Sequence, residues 1–294
     1  MKSLSFDLKL IGLVFVVLLF FASNSILARM AINTQDIDAF SFTFLRIISA
    51  MIVLLTIYFY KNKNKNLKID LKSNYLSGFM FFLYAICFSY SYINMLAGVG
   101  TLILFAVVQL TMIILALFFN EKLTFNKIVG IVIAFGGLIY LLYPKSDFTV
   151  SYFHTFLMFL SGIGWAVFSV LGKKSKNATL NATDSFFKAF IFTIIFAIFY
   201  LTFFGNSFKI NSTTFFIATI SGSITTAFGV FLWYTVLPKM QIMTASIIQL
   251  LVPIIAIFLS IIFLGETLSF ELFLSTIIIL LGIFIALYKK KNIA

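Results

Sequence analysis

The chain contains a series of ten apolar stretches separated by short polar connections. A transmembrane helix needs about 20 consecutive, predominantly apolar residues. We predict spans near residues 9–31, 39–60, 74–96, 99–119, 125–143, 152–172, 184–204, 213–236, 244–264 and 270–288. The stretches are too long, and alternate too little, for the roughly 10-residue strands of a membrane β-barrel. The sequence therefore predicts an all-α membrane protein with ten transmembrane helices.

Composition excludes a soluble globular domain. Hydrophobic residues make up 62% of the chain and charged residues 10%, against about 45–50% and 25% in soluble domains. The longest connection, residues 61–72, is too short to hold a further domain. The first apolar stretch is too long for the apolar region of a cleaved signal peptide, so we predict that it is retained as a span. Any function must then lie within the helix bundle.

The lysines and arginines predict the orientation in the membrane. Of these 21 residues, sixteen fall in connections on the side of the N-terminus, and two, Lys145 and Lys209, fall on the opposite side. The remaining three, Arg29, Arg46 and Lys188, lie within or at the edge of spans. Because basic loops stay on the cytoplasmic side, both termini are predicted to be cytoplasmic. The net charge of +12 is thereby assigned to topology and not to a nucleic-acid partner. Abundant Phe, Ile, Lys and Asn are typical of AT-rich bacterial genomes and favour a bacterial inner membrane.

An internal repeat appears when the chain is shifted by 145 residues. The segment FFNEKLTF at 118–125 then matches FLGETLSF at 263–270, and each is followed twelve residues later by a glycine, Gly137 or Gly282. We predict two repeats of five spans, residues 1–145 and 146–294. Because five is odd, the second repeat enters the membrane from the opposite side, as in transporters with inverted repeats. The alternative is that duplication merely doubles the size of the bundle.

At these two segments the sequence resembles the EamA type of the drug/metabolite transporter superfamily. Further matching features are Arg46 in FLR, Trp165 in GIGWAVFSVLGK and Pro253 in QLLVPIIA. The resemblance implies ten helices around a central cavity and a family whose members export amino acids and other small metabolites. Val108 stands at the counterpart of Pro253, so the helix break that members can carry in both halves is predicted only in the second.

Arg46 is the strongest single candidate for a functional residue. It lies eight residues after Asp38, about 12 Å into the bilayer at 1.5 Å per residue. An arginine at this depth is costly and usually faces a cavity or a partner. It can bind a carboxylate or other anionic group of a substrate. Alternatively, it is a structural residue that bonds to carbonyl groups or extends its charged end outward.

Polar and aromatic residues within other spans complete the predicted site. The predicted lining of the cavity is Asn24, Arg46, Tyr84, Gln109, Trp165, Ser169, Trp233 and Gln249, with Pro253 unwinding span 9 beside it. Buried amides need several hydrogen-bond partners, and the two tryptophans fall within spans and not in the interfacial belts. The competing interpretation, strongest for serine, is helix packing through small and hydroxyl residues.

Acidic residues are predicted to be structural. The sequence places no Asp or Glu deep in any predicted span, and Asp184 is expected to pair with Lys188 at the interface where span 7 begins. We therefore expect no carboxylate proton relay of the kind found in many pumps and transporters. Glu121 and Glu266 occupy equivalent positions of the two repeats, and we predict that each stabilises the turn between two helices.

The sequence favours a transporter over other classes. The single cysteine and single histidine, Cys87 and His154, argue against a metal site, a cofactor ligand set or a catalytic triad, so we predict neither a cofactor nor an enzyme. A channel is disfavoured because no ring of charges or filter segment is evident. The expected partners are the lipid bilayer and a small solute bearing a carboxylate or an aromatic group. A non-transporting scaffold or partner subunit is the alternative.

Overall fold

The computed structural model describes residues 8–61, 74–119, 125–142, 151–173, 177–204 and 209–287. The helices are α1 (Leu8–Ile32), α2 (Ala39–Lys61), α3 (Tyr75–Ser91), α4 (Ala97–Phe118), α5 (Phe125–Leu142), α6 (Tyr152–Lys173), α7 (Ala178–Phe204), α8 (Ser212–Ile220), α9 (Ala227–Val236), α10 (Ile242–Ile248), α11 (Leu251–Leu264) and α12 (Phe270–Leu287). A π-helical turn, Ser221–Thr226, joins α8 to α9 within one span, and α10 and α11 together form another. A 3₁₀ turn, Leu237–Lys239, follows α9.

The predicted number of spans is confirmed. Seven helical segments of the described chain are long and apolar enough to cross a membrane, and three shorter apolar helices, at Tyr75–Ser91, Phe125–Gly137 and Phe270–Ala286, complete the ten. The largest difference at the C-terminal end of a span is in α3, which ends at Ser91 and not near residue 96. Leu96, in extended conformation, leads into α4 instead.

Helix contacts repeat between the two halves of the chain. The pairs α5–α12, α2–α7 and α4–α11 each join equivalent spans of the two halves. The packing of α3 on α6 is matched by the packing of α1 on the span formed by α8, the π turn and α9. These contacts are related by exchanging each span with its equivalent in the other half. Together with the odd number of spans in each half, they give a fold of two inverted five-helix repeats. The predicted boundary between the repeats, at residues 145 and 146, lies outside the described residues.

The α5–α12 contact shows why glycine stands at the repeated position. A Cβ atom on Gly282 would lie 2.5 Å from the backbone nitrogen of Ala134 and 2.6 Å from the carbonyl oxygen of Gly130. Its equivalent, Gly137, meets the side chains of Ile278 and Ile279 at 2.9 Å. Small residues let membrane helices approach closely enough for dispersion contacts, which replace the hydrophobic effect in lipid. The repeated glycine is therefore explained by close contact between the last helices of the two repeats.

Glu266 links the two repeats. Its carboxylate accepts hydrogen bonds from the backbone N–H groups of Ala97 (2.7 Å) and Gly98 (3.1 Å), in the first turn of α4. Negative charge is favourable there because the first N–H groups of a helix have no partner within it. Glu266 thus caps a helix of the first repeat, a role different from the predicted support of its own turn. Glu121 lies outside the described residues.

Replacement of Glu266 by alanine is expected to lower the free energy of unfolding by about 1–2 kcal/mol, since two N–H groups at a helix start lose a charged acceptor. Thermal unfolding of the purified protein in detergent, followed by circular dichroism, measures the change. Asp36→Ala is the control, because Asp36 is exposed. Equal unfolding midpoints for the two variants would contradict the capping role.

Helix α7 begins at Ala178, six residues before the predicted start of span 7. The side chain of Asn177 accepts a hydrogen bond from the N–H of Leu180 (3.0 Å), as an N-cap residue does. The hydroxyl group of Thr183 donates to the carbonyl oxygens of Thr179 (2.9 Å) and Leu54 (3.2 Å). A segment that the sequence suggests is a loop is therefore the start of a helix, where the side chains of Asn177 and Thr183 bond to backbone groups.

The longer α7 places a carboxylate inside the bundle. Asp184 is 2% exposed and Lys188 is 0% exposed, and their side chains form an ion pair. The second carboxylate oxygen of Asp184 accepts a hydrogen bond from the amide of Asn74 at 2.7 Å. The expectation that Asp184 begins span 7 is therefore wrong, because the helix starts six residues earlier and the carboxylate is buried. The pair itself, at the predicted four-residue spacing, is present.

Candidate functional site

Arg46, in α2, is buried where the two repeats meet. Its side chain is 1% exposed. Nε donates to the hydroxyl oxygen of Thr226 in the second repeat (2.9 Å), and Nη2 donates to the hydroxyl oxygen of Tyr84 on α3 (2.8 Å). Nη1 is buried and has no hydrogen-bond partner. The guanidinium group therefore keeps a donor available inside the bundle.

The π-helical turn Ser221–Thr226 supplies the second-repeat side of this site. The side-chain oxygen of Asn24 accepts hydrogen bonds from the hydroxyl groups of Ser221 (3.1 Å), Thr225 (2.7 Å) and Thr226 (3.0 Å). Thus one amide oxygen orients three hydroxyl groups of the turn, including the one that contacts Arg46. Single π turns within α-helices are frequent at functional sites.

Glycine in the π turn allows α2 to lie directly against it. A Cβ atom on Gly222 would stand 2.3 Å from the carbonyl oxygen of Arg46 and 1.9 Å from Oγ of Ser49. Real Cβ atoms do not approach so closely, so any other residue at 222 would push the two segments apart. Since Arg46 itself lies at this contact, the position of its guanidinium group depends on Gly222.

An aromatic and amide cluster continues from Tyr84. The ring of Trp165, on α6, lies 5.0 Å from the Tyr84 ring and 4.9 Å from the Phe21 ring, measured between centroids. The indole N–H of Trp165 donates to the side-chain oxygen of Gln249 at 2.8 Å. The amide nitrogen of Gln249 in turn faces Sδ of Met112 (3.5 Å). This cluster joins α1, α3, α4 and α6 to the interrupted span 9.

Span 9 is interrupted at Gln249 and Leu250, between α10 and α11. Pro253 is the third residue of α11, and a proline in that position has no N–H to donate to the carbonyl of Gln249. That carbonyl accepts instead from the N–H of Val252 (3.0 Å). Interrupted helices at mid-membrane depth are a recurring feature of transporter binding sites.

The other predicted residues lie at different distances from this cluster. Trp233 donates its indole N–H to Oγ of Ser169 (3.3 Å), and its ring is 5.8 Å from that of Phe21. Gln109 donates to Oγ of Ser246 (3.0 Å) and lines a small cavity with residues of α5 and α12. The structure therefore brings Asn24, Arg46, Tyr84, Trp165 and Gln249 into one connected set. Trp233 and Ser169 are connected to this set through the ring of Phe21. Gln109 lies beside the set and bonds to Ser246.

Two aromatic residues that complete this set, Phe21 and Phe88, were not predicted from the sequence. The guanidinium carbon of Arg46 lies 4.9 Å from the centroid of the Phe88 ring and 5.2 Å from that of Tyr84. Phe21 contacts both tryptophans. With 40 phenylalanines in the chain, neither residue stands out in the sequence. Four-residue spacing between Tyr84 and Phe88 is the one signal, since it places both on the same face of α3.

The chemistry of the cluster suits the binding of a small solute. It offers one guanidinium group, hydroxyl groups, side-chain amides and aromatic faces. Within the described part of the chain, no group of three His, Cys, Asp or Glu residues can hold a metal ion. A guanidinium group among neutral acceptors and aromatic rings can receive an anionic group of a small solute.

Comparison with known proteins agrees with this description. The model of the EamA-like transporter family matches residues 8–143 and again residues 153–288. An uncharacterized protein of Pseudomonas aeruginosa is 30% identical over 284 residues, which cover 97% of this chain and 96% of that protein. An uncharacterized transporter of Archaeoglobus fulgidus is 26% identical over 200 residues, 66% of this chain and 69% of that protein.

The fold also matches a solved crystal structure. The TM-score is 0.69, with 13% sequence identity, over 95% of this chain and 96% of the other. At this identity the match concerns the fold alone. The two family matches each cover a set of five spans, and together they span most of the chain. This multi-pass membrane protein is therefore a member of the EamA-like transporter family.

Proposed function

We propose that the protein is a secondary transporter that exports amino acids or similar small metabolites across a bacterial inner membrane by alternating access. The observation that carries the proposal is the buried guanidinium group of Arg46, which has a donor without a partner at the junction of the two repeats. A cation of this kind is costly inside a membrane protein, and such residues usually mark a substrate pathway. The lysine distribution supports an orientation with both termini in the cytoplasm.

The arrangement of the site supports alternating access. Arg46 and Tyr84 belong to the first repeat, whereas Thr226 and Gln249 belong to the second. In inverted-repeat transporters one repeat moves against the other around a site at their interface. The contacts of Arg46 with Thr226 and of Tyr84 with Trp165, which join the two repeats, would then change as the site opens to either side. The π turn and the break in span 9 are two places where few regular helical bonds resist such movement.

The alternative function, a non-transporting scaffold or partner subunit, makes a different prediction about the interior. A scaffold needs a stable bundle whose centre stays closed to water. A transporter must expose the residues around Arg46 to each side of the membrane in turn. Access to a central residue therefore separates the two functions without knowledge of the substrate.

A cysteine at Thr226, in a Cys87→Ser background, tests this access. Thr226 contacts Arg46 and is 2% exposed. We expect a membrane-impermeant, anionic thiol reagent to label Thr226→Cys both in intact cells and in inverted vesicles, because the site opens to each side in turn. The matched control is Ala85→Cys on α3, which is 0% exposed in the bundle. Labelling of Thr226→Cys no faster than the control from either side would favour the scaffold.

A further inference from the structure

Within the part of the chain that the structure describes, the guanidinium group of Arg46 has no counterion. Its hydrogen-bond partners are two neutral hydroxyl groups, those of Thr226 and Tyr84, and the rings of Tyr84 and Phe88 face its guanidinium carbon. Aromatic faces and hydroxyl oxygens solvate a cation but do not neutralise it. Among the described residues, no carboxylate contacts Arg46, and Nη1 has no acceptor at all.

Three acidic side chains of the described residues are engaged away from Arg46. Asp184 and Lys188 form an ion pair on α7, and the remaining oxygen of Asp184 is bonded to Asn74. Asp38 lies at the start of α2, where it accepts from the N–H and hydroxyl groups of Ser41. Glu266 caps α4 at the end of its span. None of these three carboxylates therefore neutralises Arg46.

Among the described residues, the two side-chain amide oxygens of this site are already engaged, which leaves an ammonium group without a strong acceptor there. The side-chain oxygen of Asn24 accepts three hydroxyl hydrogen bonds. The side-chain oxygen of Gln249 is engaged by the indole of Trp165. A bound ammonium would lose its water without gaining a carboxylate, and it would also be repelled by Arg46. A zwitterion would therefore bind less well than the corresponding anion.

Beyond the guanidinium group the site is aromatic. The rings run from Tyr84 to Trp165, from Trp165 to Phe21 and from Phe21 to Trp233, with successive centroids 5.0, 4.9 and 5.8 Å apart. All of these residues belong to the interior of the bundle. A flat or apolar group attached to the anion can pack among such rings through offset-stacked and edge-to-face contacts.

We infer that the solute recognised at Arg46 is a small monocarboxylate anion that bears an aromatic or apolar group and no ammonium group. The inference rests on the proposed function and narrows it: organic acids are preferred over the zwitterionic amino acids of similar size, and amines are rejected. The carboxylate would accept from Nη1 of Arg46 and restore electrical balance in the interior. Its apolar group would lie on the side of Trp165.

Three probes that share a phenyl ring and a two-carbon chain test this inference. They are 3-phenylpropanoate, L-phenylalanine, which adds an ammonium group, and 2-phenylethylamine, which lacks the carboxylate. Binding to the purified protein is measured by quenching of tryptophan fluorescence, since Trp165 and Trp233 are the only tryptophans. We expect 3-phenylpropanoate to bind at least about tenfold more tightly than L-phenylalanine, because the ammonium group loses its hydration unpaired. The amine should not saturate.

Arg46→Gln should remove the preference for the anion, while Arg29→Gln, the matched control at the other arginine, should retain it. Equal or tighter binding of L-phenylalanine, saturable binding of the amine, or no binding of 3-phenylpropanoate would each overturn the inference. Failure of the proposed function is recorded separately, by the labelling of Thr226→Cys. A protein that passes the labelling test and prefers L-phenylalanine would remain a transporter of another substrate class.

Discussion

Replacement of Asp184 by alanine is expected to lower the free energy of unfolding by about 3–5 kcal/mol, because the buried ammonium group of Lys188 loses the carboxylate that neutralises it. Both side chains are excluded from solvent, so water cannot replace the lost partner. The α3 backbone also packs against Lys188: a Cβ atom on Gly78 would lie 2.4 Å from Cβ of Lys188. The lysine therefore has little room to move its charge elsewhere.

The double variant Asp184→Leu/Lys188→Met is expected to recover most of this loss, since well-packed apolar residues can replace a buried ion pair at little cost. Unfolding of the purified variants in mixed micelles by a denaturing detergent measures both effects. Asp36→Ala, which changes an exposed carboxylate, is the control. If the single and double variants unfold at the same detergent fraction, the charge of Lys188 is not what makes Asp184→Ala unstable.

Replacement of Arg46 by methionine is expected to affect function and not stability, in contrast to Asp184→Ala. Solute transport is lost, and the free energy of unfolding changes by less than about 1 kcal/mol. Arg46 gains two hydrogen bonds to neutral hydroxyl groups, each worth about 1 kcal/mol net, but it keeps a desolvated charge with an unpartnered donor. An apolar side chain of similar length removes both terms. Residues that serve binding at a cost in stability commonly behave in this way.

The two variants together separate a structural charge from a functional one. The same detergent titration used for Asp184→Ala gives the unfolding midpoint of Arg46→Met, with Arg29→Met as the matched control. Arg29 donates to the carbonyl oxygens of Tyr92 (2.8 Å) and Ile93 (3.2 Å), so its loss should destabilise the protein modestly. A loss of 3 kcal/mol or more in Arg46→Met would assign Arg46 to the structural role that the sequence left open.

The helices were predictable because apolar length is a strong signal in a membrane protein. Lipid cannot form hydrogen bonds with exposed backbone groups, so a span must be helical over most of the membrane thickness and is broken only where protein surrounds the break. The start of α7 was not predictable, because it lacks the long apolar stretch that marks the other helices. Residues 177–183 alternate polar and small or apolar side chains, and the hydroxyl group of Thr183 bonds to the carbonyl group of Leu54, which is distant in sequence.

The site was predictable in its residue types and not in its connections. Arg46, Asn24 and Gln249 stand out because charged and amide groups are rare within spans. The π turn at Ser221–Thr226 has no apolar pattern of its own, and it forms where Asn24 and α2 meet it. The cap made by Glu266 on α4 likewise joins residues about 170 positions apart. Such contacts follow from packing between repeats, which a single sequence does not display.

Exchange in proteoliposomes shows whether a solute crosses the membrane through the site at Arg46. Liposomes containing wild-type protein, Arg46→Met or Arg29→Met are loaded with an unlabelled panel of organic acids and amino acids. Entry of the corresponding labelled solutes is then followed. We expect saturable exchange of at least one solute by the wild type and by Arg29→Met, and a loss of at least about 100-fold in Arg46→Met, as for removal of a buried charged contact. Undiminished exchange by folded Arg46→Met would show that transport does not depend on Arg46.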